Sequence, residues 1–378
     1  MISILDLKRE YLELKPSIDA AIERVLTSGW FVGGPEVAAL ESELAGYLKV
    51  PHVVTCGSGT DALYIALKAM GIGPGDEVIT TPFTFIATLE AILHAGARPV
   101  LVDIDPQNFN LNPALLEEAL TPRTRAILPV HLYGQVAPMK EIRDFAQKHG
   151  LRILEDAAQA IGARYCASGC QHPADHACNC SNPQAGTLGD AGAFSLYPSK
   201  NLGAYGDGGF IATHSDSIAE EARLLAAHGS RVRYHHVRPA GYTSRLDALQ
   251  AAILRVKLPY LEAWNTRRRQ IAQMYNQGLR DKVLVPCEMP YALHIYHQYT
   301  VRHLERDRLA AYLKDQGIGS SVHYPVPAHL QPAYRGLAPA GALPAAEAAA
   351  REVLSLPMHP FLAEAEVEAV IRAVQSYA

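Results

Sequence analysis

Lys200 sits in the run Phe194-Ser195-Leu196-Tyr197-Pro198-Ser199-Lys200-Asn201-Leu202-Gly203, among small, hydroxyl-bearing and aromatic residues rather than on a charged face. Most lysines are solvated surface residues. One in such company can act as a nucleophile that forms a Schiff base with a carbonyl. Asp156 follows the apolar run Ile153-Leu154 and opens Asp156-Ala157-Ala158-Gln159. Ligand groups in open parallel sheets gather at the carboxyl ends of strands, so Asp156 stands where a ligand would lie. An Asp at that point also serves as a helix N-cap with no ligand at all. A third segment, Cys56-Gly57-Ser58-Gly59-Thr60-Asp61-Ala62-Leu63, lies between a strand-like and a helix-like stretch. Its glycines let backbone N–H groups approach an anion, and the following helix aims its partial positive end at the same spot. A plain strand-to-helix turn uses the same residue types.

Together the three segments describe one device. A pyridoxal 5'-phosphate (PLP) site needs a lysine for the Schiff base and a carboxylate that keeps the pyridine nitrogen protonated, so that the ring accepts electrons. It also needs a phosphate cup made of a helix N-terminus and hydroxyl donors. All three parts are present in the chain.

The elements that must position these groups follow from periodicity. Short apolar runs at Val53–Thr55, Val78–Thr80, Val100–Val102, Ile127–Val130 and Ile153–Glu155 read as strands. Between them, Asp61–Met70, Thr84–His94, Pro113–Leu120 and Met139–His149 read as helices, with Gly71, Gly96 and Gly150 as stop signals. The alternation predicts an α/β fold with a mostly parallel central sheet flanked by helices. A helical stretch from Leu246 is broken at Pro259 and runs on to Leu279; Pro286 and Pro290 mark a change of composition. An apolar alternation at Tyr296–Val301 and helices at Arg306–Gln316 and Glu364–Tyr377 then predict a small C-terminal α+β domain. The expected division is a large PLP-binding domain over 1–258, with an N-terminal helix, and a small domain over 259–378. The Ala-, Pro- and Gly-rich stretch Gly336–Ala350 reads as a flexible loop or lid.

With these blocks in view, the chain resembles the DegT/DnrJ/EryC1/StrS family of sugar aminotransferases, within the aspartate aminotransferase superfamily. The likeness rests on Gly57–Leu63, Gly73-Pro74-Gly75-Asp76-Glu77-Val78-Ile79, Pro82–Thr88, Pro129–Gln135, Glu155–Gln159, Tyr197–Gly203, Ser244–Asp247 and Val322-His323-Tyr324-Pro325. It spans nearly the whole chain and implies an aspartate aminotransferase-like fold. It further implies that Lys200 holds PLP and shuttles the proton, that Asp156 pairs with the pyridinium nitrogen, and that Phe85 stacks on the ring. Gln159 would bond the ring hydroxyl, while Gly59, Thr60 and Ser195 would bind the phosphate.

The resemblance also implies a homodimer whose second subunit completes each site through Gly241–Asp247. Relatives commonly carry Asn where this chain has Thr243; a hydroxyl also donates, with shorter reach. Arg245, His323 and Tyr324 would line the substrate side, where a cation meets a carboxylate or another anionic group. A structural pair of Arg245 with Asp247 is the other reading. The reaction so implied moves an amino group from L-glutamate to a nucleotide-linked keto-sugar, dTDP- or UDP-linked. A cyclitol or other keto-ring aminotransferase would use the same residues, and a PLP-binding regulatory protein without turnover would keep the same fold. The related dehydratases carry histidine in place of the lysine, so Lys200 speaks against that branch. Discrimination among sugars falls to side chains near Trp30, Phe31, Arg231, Tyr234 and the Gly336–Ala350 loop.

Composition is consistent with this. The chain has 378 residues, 49% hydrophobic and 19% charged, with a formal charge of −4. That is enough for two cores and gives no electrostatic reason to bind nucleic acid or a membrane surface. The charged start Asp6-Leu7-Lys8-Arg9-Glu10 does not read as a secretory signal, which predicts a cytoplasmic protein. Cys166, Cys170, Cys178 and Cys180, with His172 and His176, cluster in an insert near 166–186 where relatives have a shorter connection. Thiolates and imidazoles fit a structural zinc site, but the spacing is no standard finger pattern, and disulfides or an irregular loop are the alternatives. No catalytic metal is assigned.

Overall fold

A computed structural model describes residues 1–166, 182–232 and 234–377. The chain opens with helices α1 (Leu7–Ser28) and α2 (Gly34–Leu48). Alternation follows: β1 (His52–Cys56), α3 (Gly59–Ala69), β2 (Glu77–Thr80), α4 (Ala87–His94), β3 (Arg98–Leu101), α5 (Leu116–Ala119), β4 (Thr124–Ile127), α6 (Met139–His149) and β5 (Arg152–Asp156). Next come β6 (Arg164–Tyr165), β7 (Ala191–Ser195), β8 (Gly209–Thr213), α7 (Asp216–Ala226), the hairpin β9 (Ser230–Val232) and β10 (His235–His236), α8 (Ala248–Lys257) and α9 (Leu261–Leu279). The C-terminal part adds β11 (Ala292–Leu293), β12 (Tyr299–Arg302), α10 (Arg306–Asp315), α11 (Pro344–Glu352), β13 (Val353–Leu356) and α12 (Glu364–Ser376).

Seven strands form the central sheet in the order β1-β8-β7-β5-β4-β2-β3. The pairs β2–β3, β2–β4, β4–β5 and β5–β7 are parallel, whereas β8 runs antiparallel to both of its neighbours. Because side chains alternate along a strand, neighbouring residues serve opposite layers. Val54, Val78, Leu154, Ala193 and Ile211 pack against α3, α4 and α7 on one face. Val53, Phe194, Phe210 and Ala212 meet α2 and α8 on the other, where Ile79, Ile127 and Ile153 meet α6. The predicted α/β fold, a mostly parallel central sheet flanked by helices, is therefore the observed one.

All strands except β8 point their carboxyl ends to one edge, so Cys56, Thr80, Ile127, Asp156 and Ser195 finish side by side. Opposite this edge sits a second core. It joins the later half of α9 (Ile271, Tyr275, Leu279) to β12, β13, α10 and α12. The earlier half of α9 packs elsewhere, Leu261 with the large sheet and Trp264 against α1, so one helix spans both cores.

The stretch 336–350 is not wholly a loop. Its second half belongs to α11, with Ala346, Ala349 and Ala350 buried at helical spacing. The Asp103 carboxylate, distant in sequence, accepts hydrogen bonds from the N–H groups of Ala345 and Ala346, each at 2.9 Å, and so caps the helix. Cys170, Cys178, Cys180, His172 and His176, and with them the zinc reading, lie outside the described residues. Cys166 is buried and its N–H donates to the Tyr291 carbonyl at 2.5 Å. Among the described residues no cluster of His, Cys, Asp and Glu is arranged to hold a metal, and no helix is long and apolar enough to cross a membrane.

Candidate functional site

A cavity of about 480 Å³ opens at the carboxyl edge of the sheet. Its lining includes Gly59, Thr60, Phe85, Asp156, Gln159, Ser195, Lys200, His323 and Tyr324. Nine of the eleven residues singled out from sequence thus meet in one place.

One end of the cavity is built for an anion. Ser58 caps α3, its side chain accepting from the Asp61 N–H at 3.0 Å, which leaves the first N–H groups of the helix facing outward. Ser195, at the end of β7, lies against Gly59: a Cβ on Gly59 would fall 2.6 Å from that of Ser195. Gly209 comes equally close, since a Cβ there would stand 2.3 Å from the Ser58 carbonyl oxygen. Only glycines let these three segments converge on one point.

Asp156 closes the opposite end. Burial pushes its carboxyl above the usual carboxylate range, while hydrogen bonds from the Thr88 hydroxyl (2.8 Å) and the Ala158 N–H (3.2 Å) pull it back. Thr88 is itself bonded to Thr84 at 2.8 Å. Directly before Asp156, the fully buried Glu155 accepts from the N–H groups of Gly186 (2.8 Å), Leu188 (2.6 Å) and Gly189 (2.7 Å) and pairs with His131 at 2.7 Å. Asp156 is thus carried on a strand end pinned from both sides.

Lys200 is held by the tight turn after β7, its N–H bonded to the Tyr197 carbonyl at 2.8 Å. Burial pushes its amine down to about 8, partly offset by the negative charge of Asp156. Among the described residues the amine forms neither a hydrogen bond nor an ion pair, and Asp156 lines the same cavity with its charge acting on the amine. Phe85 remains 57% exposed at the cavity, and its ring lies 6.2 Å from that of Tyr324. Gln159 is fixed on both sides, its oxygen accepting from the Tyr133 N–H at 2.7 Å and its amide donating to the Tyr324 hydroxyl at 3.1 Å. The Tyr133 hydroxyl donates to the His323 carbonyl, and His323 Nδ1 meets the Ser355 hydroxyl at 3.0 Å. Burial and the Lys200 charge hold His323 below its ordinary value.

An unpartnered amine, a carboxylate across the gap, a bare aromatic face and a glycine-lined anion cup fit PLP in each of its parts. Thr243 and Arg245 are different. Thr243 is exposed and its hydroxyl lies 2.5 Å from His228 Nε2, outside the cavity. Arg245 is exposed too, and among the described residues it makes no ion pair with Asp247 or any other carboxylate. Their loop is anchored beside the cup, because Ser244 donates to Asp61 at 2.6 Å and accepts from the Gly57 N–H at 3.0 Å. Several residues of the site were not assigned a role from sequence: Thr88, buried behind the cavity and bonded to Asp156, and the lining residues Tyr197, Asp207 and His297. A Thr one helical turn after Thr84 was a usable signal for the first, and Tyr197 stood in the Lys200 run itself; His297 sits in a stretch with no distinctive pattern.

Comparison with known proteins agrees with this geometry. A model of the DegT/DnrJ/EryC1/StrS aminotransferase family matches residues 13–375. The chain is 48% identical over its full length to a pleiotropic regulatory protein of Geobacillus stearothermophilus, 98% of which is covered. It is 46% identical, over 100% of this chain and 96% of the relative, to a dTDP-3-amino-3,4,6-trideoxy-alpha-D-glucose transaminase of Streptomyces venezuelae. It is 44% identical, over 99% of each, to a UDP-2-acetamido-2-deoxy-3-oxo-D-glucuronate aminotransferase of Pseudomonas aeruginosa. The crystal structure of S. venezuelae DesV in complex with a ketimine intermediate superposes with a TM-score of 0.93 at 46% identity, covering 99% of this chain and 97% of that one. Matched from end to end by model, sequence and fold, the chain belongs to the PLP-dependent DegT/DnrJ/EryC1/StrS aminotransferase family.

Proposed function

We propose that the protein moves an amino group from L-glutamate to carbon 3 of a nucleotide-linked keto-hexose. The observation that carries this is the facing of Lys200 and Asp156 across one cavity whose far end is an anion cup. Two similar transaminases differ in nucleotide, dTDP against UDP, and in the sugar's other substituents, yet both names place the chemistry at carbon 3. That shared carbon supports the 3-keto reading.

When bound, PLP supplies an electron sink for the carbon that loses or gains a proton. The chain's residues do the rest. Lys200 would hold the cofactor and would carry the proton at the reacting carbon; an amine pushed down to about 8 is neutral often enough to do so. Asp156 keeps a proton on the ring nitrogen, and Phe85 and Gln159 fix the ring's plane and rotation. Gly59, Thr60 and Ser195 bind the phosphate. His323 and Tyr324 face the substrate, while Thr243 and Arg245 act in the site of a second copy, which makes the working unit a homodimer. This reading keeps 1–258 as the cofactor-binding domain and 259–378 as the smaller one, at work in the cytoplasm.

A regulatory role without turnover is suggested by the name of the G. stearothermophilus relative. It is disfavoured here by the presence of Lys200, Asp156 and Gln159 around one cavity. Purified protein should be yellow, and Lys200→Ala should lose both the visible absorbance and turnover of a 3-keto nucleotide sugar with glutamate. A Lys200→Ala protein that turns over like the parent overturns the assignment.

A further inference from the structure

Lys257, the last residue of α8, is fully buried, yet it lies outside the lining of the cavity. Burying a charge is costly, so what its ammonium touches matters. That group has three hydrogens and no lone pair. It donates to the Gly203 carbonyl at 2.6 Å, pairs with the Glu10 carboxylate from α1, and stands 4.1 Å from the centre of the Tyr205 ring. Burial pushes the amine down, and the charge and hydrogen bond of Glu10 push it back up. Gly203 belongs to the loop that carries Lys200. The Ala204 N–H closes this loop by donating to the Leu196 carbonyl at 2.7 Å, and inside it the Lys200 N–H donates to the Tyr197 carbonyl at 2.8 Å. The two limbs touch, since a Cβ on Gly203 would fall 2.4 Å from the Pro198 carbonyl oxygen. Two further side chains hold the loop from behind: Gln250 accepts from the Tyr205 N–H, and Asn265 from the Asn201 amide, each at 2.8 Å. Both are neutral. Of the three holds only Lys257 is charged, and a charged donor makes a hydrogen bond roughly twice as strong as a neutral one.

We propose that Lys257 is a positioning residue of the reaction: its grip on the Gly203 carbonyl fixes the loop that carries Lys200, and with it the line along which the Lys200 side chain enters the cavity. The inference rests on the function proposed above, in which Lys200 does the chemistry. A buried ion pair adds little net stability over well-packed neutral side chains of similar volume. What the buried amine adds is placement, because a shift of about 1 Å at a reacting group costs on the order of a hundredfold in rate. Glu10 balances the charge; the grip itself belongs to Lys257.

Two variants separate grip from charge. Lys257→Met combined with Glu10→Gln removes both charges at similar volume, so the melting temperature should fall by only a few degrees. The same protein should lose about ten- to a hundredfold in kcat while keeping its visible absorbance and a KM within about twofold of the parent's. Glu10→Gln alone leaves the amine on Gly203 and should keep most of the parent's kcat. Amide hydrogen exchange of the purified proteins gives a readout apart from turnover. In the double variant the Lys200 and Ala204 N–H groups should exchange at least about tenfold faster than in the parent, with the amides of β5 and β8 unchanged. Parental kcat in the double variant overturns the proposal, as does an equal loss in Glu10→Gln. So does a collapse of melting temperature or faster exchange throughout, the mark of a residue that only supports the fold. Failure of the broader function would look different: Lys200→Ala would keep its absorbance, while exchange at Lys200 and Ala204 would still respond to the loss of Lys257.

Discussion

Lys200 and Asp156 are tuned against each other, and each leaves a mark on pH dependence. The Lys200 amine is pushed down to about 8 from an ordinary 10.5, so it is neutral above that point and charged below. Capture of PLP by the stripped protein needs the neutral amine; its rate, followed by absorbance, should rise as pH passes through about 8 and then level. A rise that continues towards the ordinary lysine range would show the amine to be solvated. Asp156 is shifted the opposite way, upward by burial, with the Thr88 hydroxyl holding it down. Thr88→Val removes that restraint, so the carboxyl should take up its proton at a higher pH. The acid limb of the kcat profile then moves upward, and kcat at neutral pH falls about tenfold. Residues of this kind were legible in the sequence because their side chains carry the chemistry. His297 was not, since it reaches the cavity wall only where Asn201 and Asn265, from other segments, meet it.

At the scale of elements, the strands and helices that carry the site could be read wherever burial imposes a period. Val53/Val54, Ile153/Leu154 and the Met139–His149 helix all announce themselves this way. β8 escaped because it begins at a glycine and is buried on both faces, which leaves no alternation to see. α11 escaped because an alanine-rich run looks like low complexity until Asp103 is brought to its N-terminus by the fold. The strand end that carries Asp156 depends on Glu155, whose carboxylate answers three backbone N–H groups and His131. Glu155→Ala should therefore cost about 3–5 kcal/mol in denaturant unfolding, as expected when a buried ionic partner is removed. Gly209→Ala should act on both site and fold. Its methyl group would collide with the backbone of Ser58 and Gly59, so stability should fall by about 1–3 kcal/mol in denaturant unfolding and affinity for the cofactor phosphate should drop at least about tenfold.

For the whole molecule, the telling fact is that Thr243 and Arg245 stand exposed outside the cavity. Spacing along one chain cannot reveal a role played in another, which is why the resemblance alone pointed to it. If each site borrows Arg245 from its partner, Lys200→Ala and Arg245→Ala proteins are both inactive alone. Unfolded together and refolded in equal amounts, they should recover about a quarter of parental activity, because half the dimers are mixed and each holds one intact site. No recovery would mean that the sites are built within single chains.

The two ends of the cysteine-bearing segment are stitched together where it leaves the body. The Tyr165 N–H donates to the Pro183 carbonyl and the Ala185 N–H to the Ala163 carbonyl, both at 2.9 Å, and β11 pairs with β6 alongside. Cys166 and Asn182 are thereby held at the two sides of one short ladder, so a Gly-Ser turn joining them directly should leave turnover and melting temperature near the parent's; a large fall in either would show that residues 167–181 contribute to the fold.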